Sequence, residues 1–170
     1  MLHVDPPALP HWILKRRSLL PIVQGGMGIG VSAHRLAGSV ARLGALGTIS
    51  SVDLRQHHAD LLERSAGCRD QATLEQLNLI ALDREISLAL ALADGRGAVA
   101  VNVMKALTPY PGYVRQSCES GAHAIVMGAG LPLDLPDLTR DFPDVALIPL
   151  LSDARGVAIV VSPSSCRART

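Results

Sequence analysis

Leu19-Leu20-Pro21-Ile22-Val23-Gln24 is a short apolar run that stops at Gly25-Gly26, and the same grammar returns four more times along the chain. Runs of this length bounded by glycine read as buried strands. Immediately downstream, Ser32 stands where a helix cap belongs, Leu36, Val40 and Leu43 step by four and three, and Gly44 occupies the stop position. Residues 45–50 form the next strand, with Thr48 and Ile49 as its β-branched pair. A polar connection carrying His57-His58 leads to a long helix over about 72–94. Its stripe of Leu79, Leu82, Ile86, Ala89 and Ala93 repeats at helical spacing.

Ala98-Val99-Ala100-Val101-Asn102-Val103-Met104 reads as a third strand, apolar on both faces until Asn102. Pro109 opens a helix that runs to about Ser120, and Ala124-Ile125-Val126-Met127-Gly128 is the fourth strand. A short helix capped at Leu133-Asp134 precedes the fifth strand at 145–151, and Ser152 opens a last helix through Val160. Strands that begin near 21, 45, 98, 124 and 146 and alternate with helices predict an α/β fold of parallel βαβ units. An eight-unit barrel takes about 250 residues. A chain of 170 residues with five units is therefore either a complete open sheet or part of a barrel. The switch to Ser, Pro and Arg over 161–170 favours the second, a barrel truncated after about five strands. The expected division is a Pro-rich leader over 1–18, barrel units over 19–160 and an aberrant or disordered tail over 161–170.

Composition excludes several function classes. With 16 basic and 15 acidic residues the net charge is +1, which offers no field to steer nucleic acid or acidic lipid. One Trp, two Tyr and one Phe are too few for base-stacking platforms. The longest apolar stretches fall short of the roughly 20 residues of a spanning helix, and the start lacks a signal-peptide pattern, so a cytoplasmic protein is expected. Cys68, Cys118 and Cys166 are odd in number and about fifty residues apart, which fits ordinary reduced thiols and no metal site.

Parallel α/β folds place ligands at the carboxyl ends of their strands. There the sequence offers Gln24-Gly25-Gly26-Met27-Gly28, Ser50-Ser51, Asn102, Gly128-Ala129-Gly130 and Ser152-Asp153. Glycines admit close approach of a flat ligand, and Gln24 and Asn102 supply uncharged donors and acceptors, a set suited to a neutral heteroaromatic ring. The glycines at 25, 26, 28 and 30 form neither G-x-G-x-x-G nor a phosphate loop with its lysine.

Pro21-Ile22-Val23-Gln24-Gly25-Gly26-Met27-Gly28, then Gly44-Ala45-Leu46-Gly47-Thr48-Ile49-Ser50, Val101-Asn102-Val103-Met104 and Gly128-Ala129-Gly130 together resemble the nitronate monooxygenase family. That family was formerly called 2-nitropropane dioxygenase-like and includes FMN-dependent enoyl-carrier-protein reductases. The likeness runs from about 19 to 160, and the first block is its most specific part. The resemblance implies a TIM barrel with FMN across the carboxyl ends of its strands. Gln24, Gly25, Gly26 and Met27 would contact the ring, Asn102 would bond its polar edge, and Gly128 would leave room beside it. It further implies oxidation of a small-molecule substrate, an alkyl nitronate, with O₂ to a carbonyl compound and nitrite. The family's catalytic histidine lies in a Gly-Gly-His segment after the fifth strand, which this chain does not contain, so no catalytic residue is assigned and impaired activity is expected. Two other readings stand beside this one: an NAD(P)H-using flavin enzyme of the same fold, and an open-sheet small-ligand binding protein without flavin. Unpaired barrel edges predict poor solubility and self-association.

Overall fold

The computed structural model describes residues 9–161. An antiparallel hairpin of β1 (Trp12–Leu14) and β2 (Arg17–Leu19) precedes α1 (His34–Arg42) and β3 (Leu46–Ser50). A 3-10 turn over Leu54–His57, α2 (Ala59–Ser65) and the long α3 (Gln71–Ala93) lead to β4 (Ala98–Met104). The chain continues through α4 (Tyr110–Glu119), β5 (Ala124–Gly128), α5 (Leu135–Leu138), β6 (Ala146–Pro149) and α6 (Ala154–Val161). Strands β3 to β6 lie side by side in sequence order and all pair in parallel. Parallel neighbours need a crossover between them, and helices fill that role here.

The sheet separates two cores. Ile49, Val99, Val101, Val103, Ile125 and Met127 point outward into the helical layer, where they meet Leu82, Ile86, Val114 and their neighbours. The alternate residues form level rows on the inner face. Thr48, Ala100, Ala124 and Ala146 make one row, and Ser50, Asn102, Val126 and Ile148 make the next. Small side chains in the lower row let Leu14 and Leu19 of the hairpin pack directly on the sheet. The segment read as a leader thus contributes a structured hairpin to the inner core; residues 1–8 of it, and residues 162–170 of the expected tail, lie outside the described residues.

Three local readings are corrected. The run over 19–24 is not a full strand: Leu19 ends β2, and only Val23 bridges Leu46. Leu46 N donates to Ile22 O at 3.1 Å, Gln24 N donates to Leu46 O at 2.9 Å, and the next amide, Thr48 N, goes to the Gln24 side-chain oxygen at 2.9 Å. The Gln24 amide therefore takes over the acceptor position of a continuing ladder, and the backbone is released into a loop. Among the described residues the parallel sheet has four strands, with this bridge in place of a full first strand.

The second correction concerns α1. The helix buries Ala37, Gly38 and Ala41, while Leu36 and Leu43 of the expected stripe are 40% and 75% exposed. Backbone contact decides this: a Cβ on Gly47 would fall 1.9 Å from Ala37 O, so α1 lies flush on β3 and only its small-residue face fits. Third, Ser32 does not cap α1. Its hydroxyl accepts from Met27 N at 2.9 Å and donates to Gly25 O at 3.1 Å within the loop. His34 N instead donates to the carboxylate of Glu85 on α3 at 2.6 Å, so another helix caps α1. On α3 the local rule holds, with Asp70 accepting from Thr73 N at 2.9 Å.

Candidate functional site

The loop from Gln24 to Ser32 folds over the carboxyl end of β3 and β4. Asn102 Nδ2 donates to Gly26 O at 3.2 Å, and a Cβ on Gly26 would lie 2.4 Å from the Asn102 Cβ. Ser50 N donates to Ser32 O at 2.9 Å, and Gln24 Nε2 reaches the Ser32 hydroxyl at 3.0 Å. Gln24, Gly25, Gly26, Met27 and Asn102 are thereby gathered in one place. Gly25 has open space where a side chain would stand, and Met27 is exposed. Thr48 Oγ1 in β3 and Ser51 Oγ just after it are buried without a hydrogen-bond partner among the described residues. Gly128 stands apart from this group: register sets Val126 beside Asn102 and Gly128 beside Met104, one step farther out. A Cβ on Gly128 would sit 3.2 Å from Leu150, a tight but not closed fit.

Two features at the same end of the sheet go beyond the sequence reading, which had named only Gly128-Ala129-Gly130 and Ser152-Asp153 of the residues that form them. A cleft of about 430 Å³ opens between the ends of β5 and β6, walled by Gly130, Leu131, Leu150, Asp153, Arg155 and Ile159. Its place after two strand ends was the available signal; Arg155 was invisible because it belongs to the helix beyond. Asp153 Oδ1 accepts from Gly156 N at 2.7 Å, so the start of α6 is already capped by a carboxylate. Beside the Gly128–Gly130 turn, Lys105 Nζ lies 2.6 and 2.7 Å from the Asp134 oxygens and 2.5 Å from Tyr110 Oη. Tyr110 also donates to Asp134. Partial burial opposes both charges, yet the mutual hydrogen bonds hold the Lys105 pKa above and the Asp134 pKa below the ordinary values. All three ammonium hydrogens have an acceptor, which makes this a clamp joining β4, α4 and α5.

Among the described histidines, His34 and His58 face Glu85 and His123 accepts from a backbone amide. His34 Nδ1 sits 2.8 Å from Glu85 Oε2, and His58 Nε2 lies 3.1 Å from Glu85 Oε1 but outside hydrogen-bond alignment. His57 rests against Gly30 of the loop. His123 Nδ1 accepts from Val99 N at 3.0 Å, and burial, helped by the charge of Arg17, pulls its pKa down to about 4. Where the resemblance expects Gly-Gly-His, β6 runs into Leu150-Leu151-Ser152-Asp153. Cys118 is buried, and burial pushes its thiol up to about 11, which removes it as a nucleophile. Among the described residues no cluster of His, Cys, Asp and Glu could hold a metal, and no helix is long and apolar enough to cross a membrane.

The sequence matches no protein-family model and no curated protein. Among solved structures the fold is similar to FabK from Thermotoga maritima, at TM-score 0.54 and 18% identity over 82% of this chain, and to a point mutant of that protein at 0.52 and 19%. A nitroalkane oxidase from Streptomyces ansochromogenes matches at 17% identity over 76% of this chain and 58% of its own, with a TM-score of 0.29 that carries no weight for the fold. The chain spans 36% and 38% of the two FabK chains. Together with the four parallel strands in sequence order, this partial coverage shows an α/β fold of (β/α) units that corresponds to part of a TIM barrel.

Proposed function

We propose that this chain carries the ring-binding end of a flavin-dependent (β/α)-barrel oxidoreductase, with FMN as the flavin and a nitronate monooxygenase-like enzyme as its kind. The observation that carries the reading is the loop of Gln24 to Met27 laid over Asn102 at the carboxyl end of the inner face. These groups are uncharged, Gly25 and Met27 are exposed, and the Asn102 amide spends only one hydrogen on Gly26 O. That donor set fits the polar edge of a neutral ring. Asn102 and the backbone of Gly25 and Gly26 would hold that edge, and Met27 would cover its face. Bound flavin would supply the redox chemistry, and the protein would orient it and exclude water.

The reading implies binding without turnover. The Gly-Gly-His segment that the resemblance expects is not in the sequence, and β6 is followed by Leu150-Leu151-Ser152-Asp153. The test is the visible spectrum of the purified chain after incubation with excess FMN and desalting. Retained flavin bands that disappear in Asn102→Ala support the reading; a colourless protein from the outset removes it. A flavin-loaded sample that neither oxidises alkyl nitronates nor is bleached by NAD(P)H is the expected outcome of the activity assay. Rapid bleaching by NAD(P)H would instead favour a reductase of the enoyl-carrier-protein type.

A further inference from the structure

The opposite end of the sheet holds a second cavity. The β1–β2 turn reaches across the amino ends of the strands: Arg17 donates to Gly97 O at 3.3 Å and Lys15 Nζ to Pro143 O at 3.1 Å. Beneath the turn is a pocket of about 250 Å³ walled by Leu14, Lys15, Arg16, Arg17, His123 and Asp144. Three of these residues are cationic and one is anionic, a formal balance of 3 − 1 = +2. Two of the cations are held in place by backbone carbonyls before any ligand arrives. His123 adds a directional donor. Its Nδ1 accepts from Val99 N, so the neutral ring carries its proton on Nε2. Asp144 is the opposing charge; it lies 3.7 Å from Arg16, and both are largely exposed.

We propose that this pocket binds a small tetrahedral oxyanion, inorganic phosphate or the phosphate of a monoester. Cations fixed in advance and a neutral N–H donor match an anion with several acceptor oxygens, where a lone surface lysine would not. The site is independent of the flavin reading, since it lies at the other end of the strands.

The experiment is a titration of inorganic phosphate at constant ionic strength, with chloride making up the balance and acetate as the carboxylate comparison. Melting temperature and calorimetric heat are both recorded. A saturable rise in melting temperature with phosphate, absent with chloride and weaker with acetate, is expected. Arg17→Gln should weaken binding by about 10-fold. Because Arg17 also holds Gly97, Asp144→Asn provides a second variant that loses only the exposed pair with Arg16, keeps the bonds of Lys15 and Arg17, and should tighten binding. No saturable phosphate response, equal response to acetate, or unchanged affinity in Asp144→Asn overturns the proposal.

Discussion

Gly26 and Asn102 are locked together because neither could keep its place if Gly26 had a side chain. With 2.4 Å between the missing Cβ and the Asn102 Cβ, Gly26→Ala must lift the loop off β4. Destabilisation of about 1–3 kcal/mol in urea unfolding and loss of flavin retention are expected together. Glu85 is the residue with most to lose in the helical layer: it is 2% exposed, accepts from His34 N, and faces two imidazoles. Glu85→Ala leaves the α1 amide and His34 without their acceptor and should cost about 2–4 kcal/mol in the same measurement. His123 determines a pH window. Its folded pKa of about 4 lies below the ordinary 6.5, so the unfolded chain binds the extra proton first as pH falls. The contribution of His123 is fully present above pH 6.5 and is lost as pH drops toward 4. His123→Gln, which keeps an acceptor for Val99 N, should flatten the stability profile across that window.

At the scale of elements, α1 shows how close backbone contact overrides side-chain periodicity. The leucine stripe over Leu36 and Leu43 has the spacing of a buried face, yet Gly47 brings the Ala37 carbonyl so near β3 that only the Ala37, Gly38 and Ala41 side can face inward. Gly47→Ala is expected to destabilise the chain by about 3 kcal/mol or more, read as loss of the cooperative melt. Leu43→Lys, on the exposed side, should change stability by no more than about 0.5 kcal/mol. The two outcomes together establish which face is seated. The long α3 follows its pattern over Leu82, Ile86, Ala89 and Ala93, all buried, and its cap, Asp70, is local.

At the scale of the molecule, the sheet carries apolar surface at both sides. Ile22, Val23, Val31 and Leu43 are exposed near β3, and Leu150, Val157, Ile159 and Val161 near β6. Among the described residues β6 has one strand neighbour, β5. Open parallel edges flanked by such surface favour association. Sedimentation across a dilution series is expected to show mass increasing with concentration, and Leu43→Lys combined with Val157→Lys should reduce it. A single monomeric species throughout would remove the expectation.

The order of strands and helices, the parallel class and the gathering of glycines, Gln24 and Asn102 at one end were legible from the chain alone. They follow from run length, helical period and the glycines that stop each run, all of which are local in sequence. The cap of α1 by Glu85, 51 residues away, was not, nor was the Lys105–Asp134–Tyr110 clamp. Such partners are selected by where folded elements meet. The same distinction separates Gln24 as a residue suited to a ring from Gln24 as the acceptor that stands in for the backbone at Thr48. Sequence by itself determined the alternating strands and helices from α1 and β3 onward, because their signals lie within a few residues, but not the hairpin over 12–19 or α2 over 59–65, which fall in the segments read as leader and polar connection. Only the tertiary structure decided which face each presents and which polar groups remain free, because close packing and hydrogen-bond satisfaction are settled between segments far apart in the chain.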